Sequence, residues 1–233
     1  MSATRQICHG FRGFAREAGG VYAANLPVLL GVALPLFAIP AVVNHLALPP
    51  LLVFPIAYPI QSAVATLYVG VVSLHLSAEE RGESRALTQL VAEIRPCLVS
   101  LCITGAVVGA ATVVGILCLI LPALVVLTMW FVVAPLIALD HLGVAASLRA
   151  SWRLVRPRVG TVFLVSLTTA VFTYGVWLFV VPAAGDGRLV RMVGSEISFL
   201  ISAPIAAVVI FGVCRRLKAI AVEMDEAYGV ARS

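Results

Sequence analysis

Four stretches of the chain contain no Asp, Glu, Lys or Arg. They cover residues 18–78, 96–139, 159–185 and 197–214, and run to 61, 44, 27 and 18 residues. A helix needs about 20 apolar residues to cross the hydrocarbon of a bilayer. The first two stretches therefore hold two crossings each and the last two hold one each. The pattern predicts six spans, over about 22–45, 51–77, 96–119, 123–139, 159–181 and 193–214. Backbone facing lipid has to satisfy its own hydrogen bonds, so the spans are expected to be helices. The turns inside the first two stretches fall at residues 46–50 and at Leu121-Pro122.

Between the spans the periodicity changes. Val144, Leu148, Trp152 and Val155 recur at helical spacing, with Arg149, Arg153 and Arg156 on the opposite face. This predicts an amphipathic helix on the membrane surface, with Trp152 at headgroup depth and Pro157 starting the next span. Leu87, Leu90, Val91 and Ile94 form a similar face ahead of Arg95-Pro96. The segment 92–96 and the segment 153–157 share an Arg-Pro ending at an offset of 61 residues. A looser instance lies in the arm before the first span, where Ile7, Phe11, Phe14 and Ala18 oppose Arg5, Arg12 and Arg16. The expected fold is an all-α membrane protein of six transmembrane helices with amphipathic cytoplasmic interface helices. It suggests three repeats of a surface helix followed by a membrane hairpin. The expected divisions are an arm over 1–20, a transmembrane domain over 21–217 and a cytoplasmic tail helix over 218–233. In that tail Leu217, Ile220, Ala221 and Met224 share one face.

Composition agrees with the pattern. Hydrophobic residues make up 61% of the 233 and charged residues only 12%, about half the share usual in a soluble domain. About twenty polar-to-mixed residues precede the first apolar run, which is too long for a signal-peptide core, so it is expected to stay as an anchor. Fourteen of the sixteen Lys and Arg fall on one side of the predicted topology, and only Arg188 and Arg191 on the other. The positive-inside rule then places both termini in the cytoplasm, in a cell (inner) membrane. The net charge of +5 reads as a topology signal. It gives no indication of nucleic acid binding. The five cysteines form neither a CxxC pair nor a cluster with His, so no disulfide framework, metal or cofactor is expected.

The segment Leu121–Gly160 resembles the signature region of a bacterial integral-membrane family. That family includes the membrane domain of some glycerophosphodiester phosphodiesterases and similar inner-membrane proteins of unknown function. The shared features are Pro122, Asp140, Leu148, Ser151, Trp152, Leu154 and Arg156. The chain departs from the pattern at Ala123, where the family usually has Gly, at Asp140, usually Glu, and at Pro157, usually Gly. The resemblance implies a helical membrane domain. It does not imply the phosphodiesterase activity, because the carboxylates and histidines that such catalysis needs are missing from this sequence.

Few residues offer chemistry. Asp140 and His141 end the fourth span and form a polar switch or, more simply, a helix end with Asp140 paired to an arginine of the next surface helix. Glu196 lies about two turns into the sixth span, where an ionisable group suggests function or a pairing with Arg191. His75 and Gln61 are further polar groups within spans. Gly105 and Gly109 form a GxxxG for close helix packing. Seven of the thirteen prolines lie between Pro27 and Pro59, predicting kinked or broken first and second spans. The leading expectation is a non-catalytic scaffold or accessory subunit. It would act through anionic membrane lipids, at Arg149, Trp152, Arg153, Arg156 and Arg158, or through a membrane protein partner. The alternative is a transporter or permease component for a lipid-like or small apolar solute, using Gln61, Glu196 and the proline-rich hairpin. A membrane-embedded enzyme would need a pair such as His75 with Ser73 or Ser77, and nothing orients one.

Overall fold

Every described segment of regular structure is helical. The structure, a computed structural model, describes residues 27–40, 50–83, 87–118, 120–185 and 188–230. The expected N-terminal arm, the turn at 46–50 except for its last residue, and the end of the tail lie outside these residues. In chain order the helices are α1 (Pro27–Pro40), α2 (Pro50–Glu80), α3 (Leu87–Ile94), α4 (Leu98–Leu117), α5 (Ile120–Met129), α6 (Val133–Asp140), α7 (Val144–Val155), α8 (Val159–Ala184) and α9 (Arg188–Val230). Among the described residues five helical stretches are long and apolar enough to cross a membrane: Pro55–Glu80, Thr88–Leu117, Leu121–Asp140, Val144–Ala183 and Val193–Glu223. The chain thus has the fold of a multi-pass, all-α membrane protein. The described part of the first span, α1, is apolar but shorter than a crossing.

Between helices in lipid there is little hydrophobic driving force, so association depends on close packing and hydrogen bonds. Small residues are therefore placed where helices meet. A Cβ built on Gly105 would lie 2.6 Å from the Ala63 Cα, and one on Gly109 would lie 2.7 Å from the Pro59 Cα. The GxxxG of α4 is thus a seat for α2. On the other side of α2, Phe37 of α1 packs between Tyr68 and Phe199, each ring centroid 5.5 Å away. The Tyr68 hydroxyl donates to the Leu29 carbonyl at 3.2 Å.

The prolines do not break the second span. Pro55 and Pro59 sit inside α2, which continues unbroken to Glu80. Each removes a single ladder bond, and packing on α4 carries the helix past them. The break falls instead in the fourth span, read from sequence as continuous over 123–139. Pro135 has no N–H for the Phe131 carbonyl and its ring would strike it. The span splits at residues 130–132 into α5 and α6. The Val133 N–H turns to the Trp130 carbonyl at 3.3 Å, leaving the Met129 carbonyl without its helical donor.

The break redirects the chain. Residues Val133–Ala138 of α6 are all buried, and α6 packs against α2, α4, α7 and α9. Before the break, α5 packs on α4, α7 and α8. Further round the bundle α8 packs on α9, α9 on α2 and α2 on α4.

Two units share one local design. Leu87–Ile94 and Val144–Val155 each pass through a single 3-10 turn, Arg95–Cys97 and Arg156–Arg158, into a spanning helix. Three buried positions coincide at the 61-residue offset, Leu90 with Ser151, Ile94 with Val155 and Leu101 with Val162, while the buried Cys97 corresponds to the exposed Arg158. Val91, on the apolar face of α3, is exposed, while Leu90 and Ile94 of that face are buried.

The α2–α4 seat generates a stability prediction. Gly105→Ala forces a methyl into the α2 backbone and should cost about 1–3 kcal/mol. Gly160→Ala meets nothing within 4 Å and should leave stability unchanged or raise it. Unfolding of both variants in mixed micelles, followed by circular dichroism, checks the contrast.

Candidate functional site

The polar and charged side chains gather at the end of the bundle where α2 and α6 finish. Both ends are tied to one turn of α9. Arg215 donates to Glu80 of α2, and Lys218 Nζ donates to both Asp140 carboxylate oxygens of α6 at 2.7 Å. Asp140 therefore pairs with the helix that follows the sixth span, 78 residues away, and not with an arginine of the neighbouring surface helix. No periodicity in the sequence signals that partner. The pair is more than a third exposed on the Asp140 side, so its stabilisation is within about 1 kcal/mol. Lys218 belongs to this bundle contact, and α9 passes through position 218 without interruption.

His141 closes α6 in the left-handed region, at φ 51°. A non-glycine residue there is uncommon, and the conformation turns the chain sharply into α7. It also brings His141 Nδ1 to 3.2 Å from the Cys97 Sγ, at the start of α4. Cys97 is buried and His141 is exposed. Cys97, Cys102, Cys118 and Cys214 are all free thiols. Among the described residues no group of three His, Cys, Asp or Glu could hold a metal ion.

The helix α7 is held by its small residues. Ser147, Ser151 and Val155 are fully buried, one turn apart along a single face. Ser151 Oγ donates to the Met129 carbonyl at 2.7 Å. This is the carbonyl that the proline break leaves bare, so the serine restores the bond that α5 loses. Val155 packs with Val132, Leu136, Val162, Cys214 and Leu217. The sequence expectation placed Val144, Leu148, Trp152 and Val155 on one apolar face. Of these, Val155 is buried and Trp152 is exposed, and the face in contact with the rest of the protein is centred on Ser147 and Ser151. An outward-facing tryptophan is stable where the surroundings are lipid, which is why the hydrophobic pattern pointed away from the protein contact.

The arginines complete the picture. Arg95, Arg149, Arg153, Arg156 and Arg158 are all exposed. Arg149 Nε donates to the Ala145 carbonyl of its own helix at 3.0 Å. Among the described residues none of the five forms an ion pair with a carboxylate. By contrast Arg81 and Arg215 are both paired with glutamates. The result is a rim of cations around the end of the bundle, with Trp152 beside it.

The remaining sequence candidates lie elsewhere. Gly105 and Gly109 are taken up in the α2–α4 contact. His75 is half-buried on α2 between the buried Leu74 and Leu76. Glu196 is half-buried on α9, one turn from Phe199, and the Arg191 side chain expected to pair with it is outside the described residues. Asp140, His141 and Glu196 are not brought together: the first two sit at the charged end and the third in the opposite half. No protein-family model, curated protein or solved structure matches the chain.

Removing the Ser151 hydroxyl leaves the Met129 carbonyl buried without a donor. Ser151→Ala should cost about 1–3 kcal/mol, and Ser147→Ala, whose hydroxyl only bonds its own helix at Val144, much less. Proteolysis of the α6–α7 connection in detergent, compared across the two variants, reads out the difference.

Proposed function

We propose that this protein is a non-catalytic membrane scaffold or accessory subunit that engages anionic lipid headgroups through the rim Arg95, Arg149, Arg153, Arg156 and Arg158. The observation that carries the reading is that among the described residues these five exposed arginines form no ion pair with a carboxylate, while α7, which carries Arg149 and Arg153 and leads into Arg156 and Arg158, has one face locked into the bundle. Locked helices present the guanidinium groups in a fixed array, so little side-chain and backbone ordering remains to oppose binding. Guanidinium forks match phosphate oxygens, and Trp152 would lie at the level of the headgroups.

On this reading the rim faces the cytoplasm of a cell membrane, as the distribution of Lys and Arg implies, with both termini on that side. The repeated helix, Arg-Pro turn and span would be one structural unit used at least twice, and the N-terminal arm a third copy. The resemblance of Leu121–Gly160 to the membrane domain of glycerophosphodiester phosphodiesterases fits such a supporting role beside a partner protein.

Arg149→Ala, Arg153→Ala and Arg156→Ala together should weaken retention of phosphatidylglycerol by roughly two orders of magnitude at low salt. The figure assumes about 1 kcal/mol for each arginine near the surface. Native mass spectrometry of protein in mixed nanodiscs of phosphatidylglycerol and phosphatidylcholine measures it. Equal retention of both lipids by the unaltered chain would end the proposal.

A further inference from the structure

The two units related by the 61-residue offset agree in what they expose as well as in what they bury. From Leu90 to Pro96 and from Ser151 to Pro157 the order of buried, half-buried and exposed positions is the same. Each surface helix turns one apolar side chain outward, Val91 in the first unit and Trp152 in the second. Four residues on, in the 3-10 turn, each has an exposed arginine, Arg95 or Arg156. Among the described residues neither arginine forms an ion pair with a carboxylate. Residues four apart share a helix face, so each arginine stands one turn beyond its apolar neighbour.

The same register continues down the spans. Below Arg95, the side chains of Val99, Ile103 and Val107 on α4 are 67%, 48% and 41% exposed. Below Arg156, the corresponding positions on α8 are Gly160, Leu164 and Thr168, again all exposed. The other face of α4 carries Gly105 and Gly109 in the contact with α2, so its exposed lane points away from the protein. From Val99 to Val107 the lane is about 12 Å long, close to the ~15 Å of hydrocarbon in one leaflet. Its side chains are apolar throughout on α4. On α8 the Thr168 hydroxyl donates to the Leu164 carbonyl at 2.8 Å, which leaves that lane without a free donor.

An apolar lane in a bilayer is covered by an acyl chain, and the cation at the head of these two lanes adds a second requirement. The phosphate of a phospholipid lies just beyond the top of its chains, at the level of the arginine, where a guanidinium fork matches its oxygens. A quaternary ammonium headgroup would set a second cation beside that arginine, whereas an uncharged headgroup would not. Arg215, by contrast, is already paired with Glu80. Resting on the lipid reading of the rim, we propose that the chain has two equivalent sites for single anionic phospholipids, one in each unit. In each, the phosphate sits on Arg95 or Arg156 and an acyl chain follows the lane below. The rim is then two separate sites and not one diffuse patch. The second unit adds Arg149 and Arg153 where the first has Thr88 and Ala92, so the Arg156 site is the tighter.

The test uses the full chain in phosphatidylcholine nanodiscs with phosphatidylglycerol or phosphatidylcholine probes that carry a photoreactive group on one acyl chain. The phosphatidylglycerol probe should label α4 between Val99 and Val107 and α8 between Gly160 and Thr168. Labelling should saturate and be displaced by unlabelled phosphatidylglycerol. The phosphatidylcholine probe should label both at least about fivefold less, the value of one arginine near the surface. Arg95→Ala should lower labelling of α4 about fivefold and leave that of α8 unchanged, and Arg156→Ala should do the converse. Equal labelling of both helices by the two probes would overturn the lipid reading of the rim and this inference with it. A preference for phosphatidylglycerol that survives Arg95→Ala on α4, or that Arg95→Ala removes from both helices together, would overturn the two-site inference alone, as would labelling that does not saturate. Should Arg95→Ala fail to fold, the comparison of the two probes on α4 of the unaltered chain decides: a preference on α8 without one on α4 would rule out the Arg95 site.

Discussion

Pro135 cannot give a hydrogen bond to Phe131, and most of the architecture follows from how that deficit is absorbed. In water a freed carbonyl would be hydrated. Inside a bilayer it must find a protein donor or cost several kcal/mol. The helix breaks at residues 130–132, where the Val133 N–H bonds the Trp130 carbonyl and the Met129 carbonyl loses its helical donor as well. Ser151 then supplies the donor. One missing N–H therefore fixes three things: the direction in which α5 leaves the core, the burial of α6 among its neighbours, and the docking of α7.

Docking α7 in this way also settles what its outer face is free to do. A helix held only by lipid would place its widest apolar face toward the membrane and remain mobile. Here Ser147, Ser151 and Val155 hold the inner face, so Trp152 and the arginines are fixed relative to the bundle. The tie from α9 to α2 and α6 through Arg215 and Lys218 stiffens the same end. Each ion pair contributes little stability by itself. Their effect is geometric, since both helix ends are referred to one turn of one helix.

Much of this frame is readable in the sequence, for a definable reason. Charge is expelled from hydrocarbon, so the uncharged stretches mark the spans, and exposed arginines mark the level of the interface. The Arg-Pro turns are legible because proline at a helix start is a local rule. What the sequence hides is which polar side chain meets which backbone group. Pro135 stands in plain view, yet the cluster from Pro27 to Pro59 is denser and draws the expectation of a break to α2, where packing on Gly105 and Gly109 carries the helix past its prolines. Ser151 is hidden because hydrophobic periodicity identifies buried faces only when the alternative is water. Against lipid, the apolar residues face outward and a serine can be the residue that is buried. Asp140 and Lys218 are a tertiary pairing with no local signature.

The two halves of the bundle differ in what they would permit. For a solute to pass along the axis, α6 would have to leave the centre. That would expose six buried residues, uncouple Ser151 from Met129, and separate Asp140 from Lys218. The same reasoning separates α8 from the locked elements. It is the least buried of the long helices, with Leu164, Val171, Leu178 and Phe179 all more than half exposed. In lipid such an apolar face meets surroundings of its own kind and needs no protein cover. The order of the bundle therefore resides in the few polar contacts at its charged end, and the apolar outer face of α8 adds little to it.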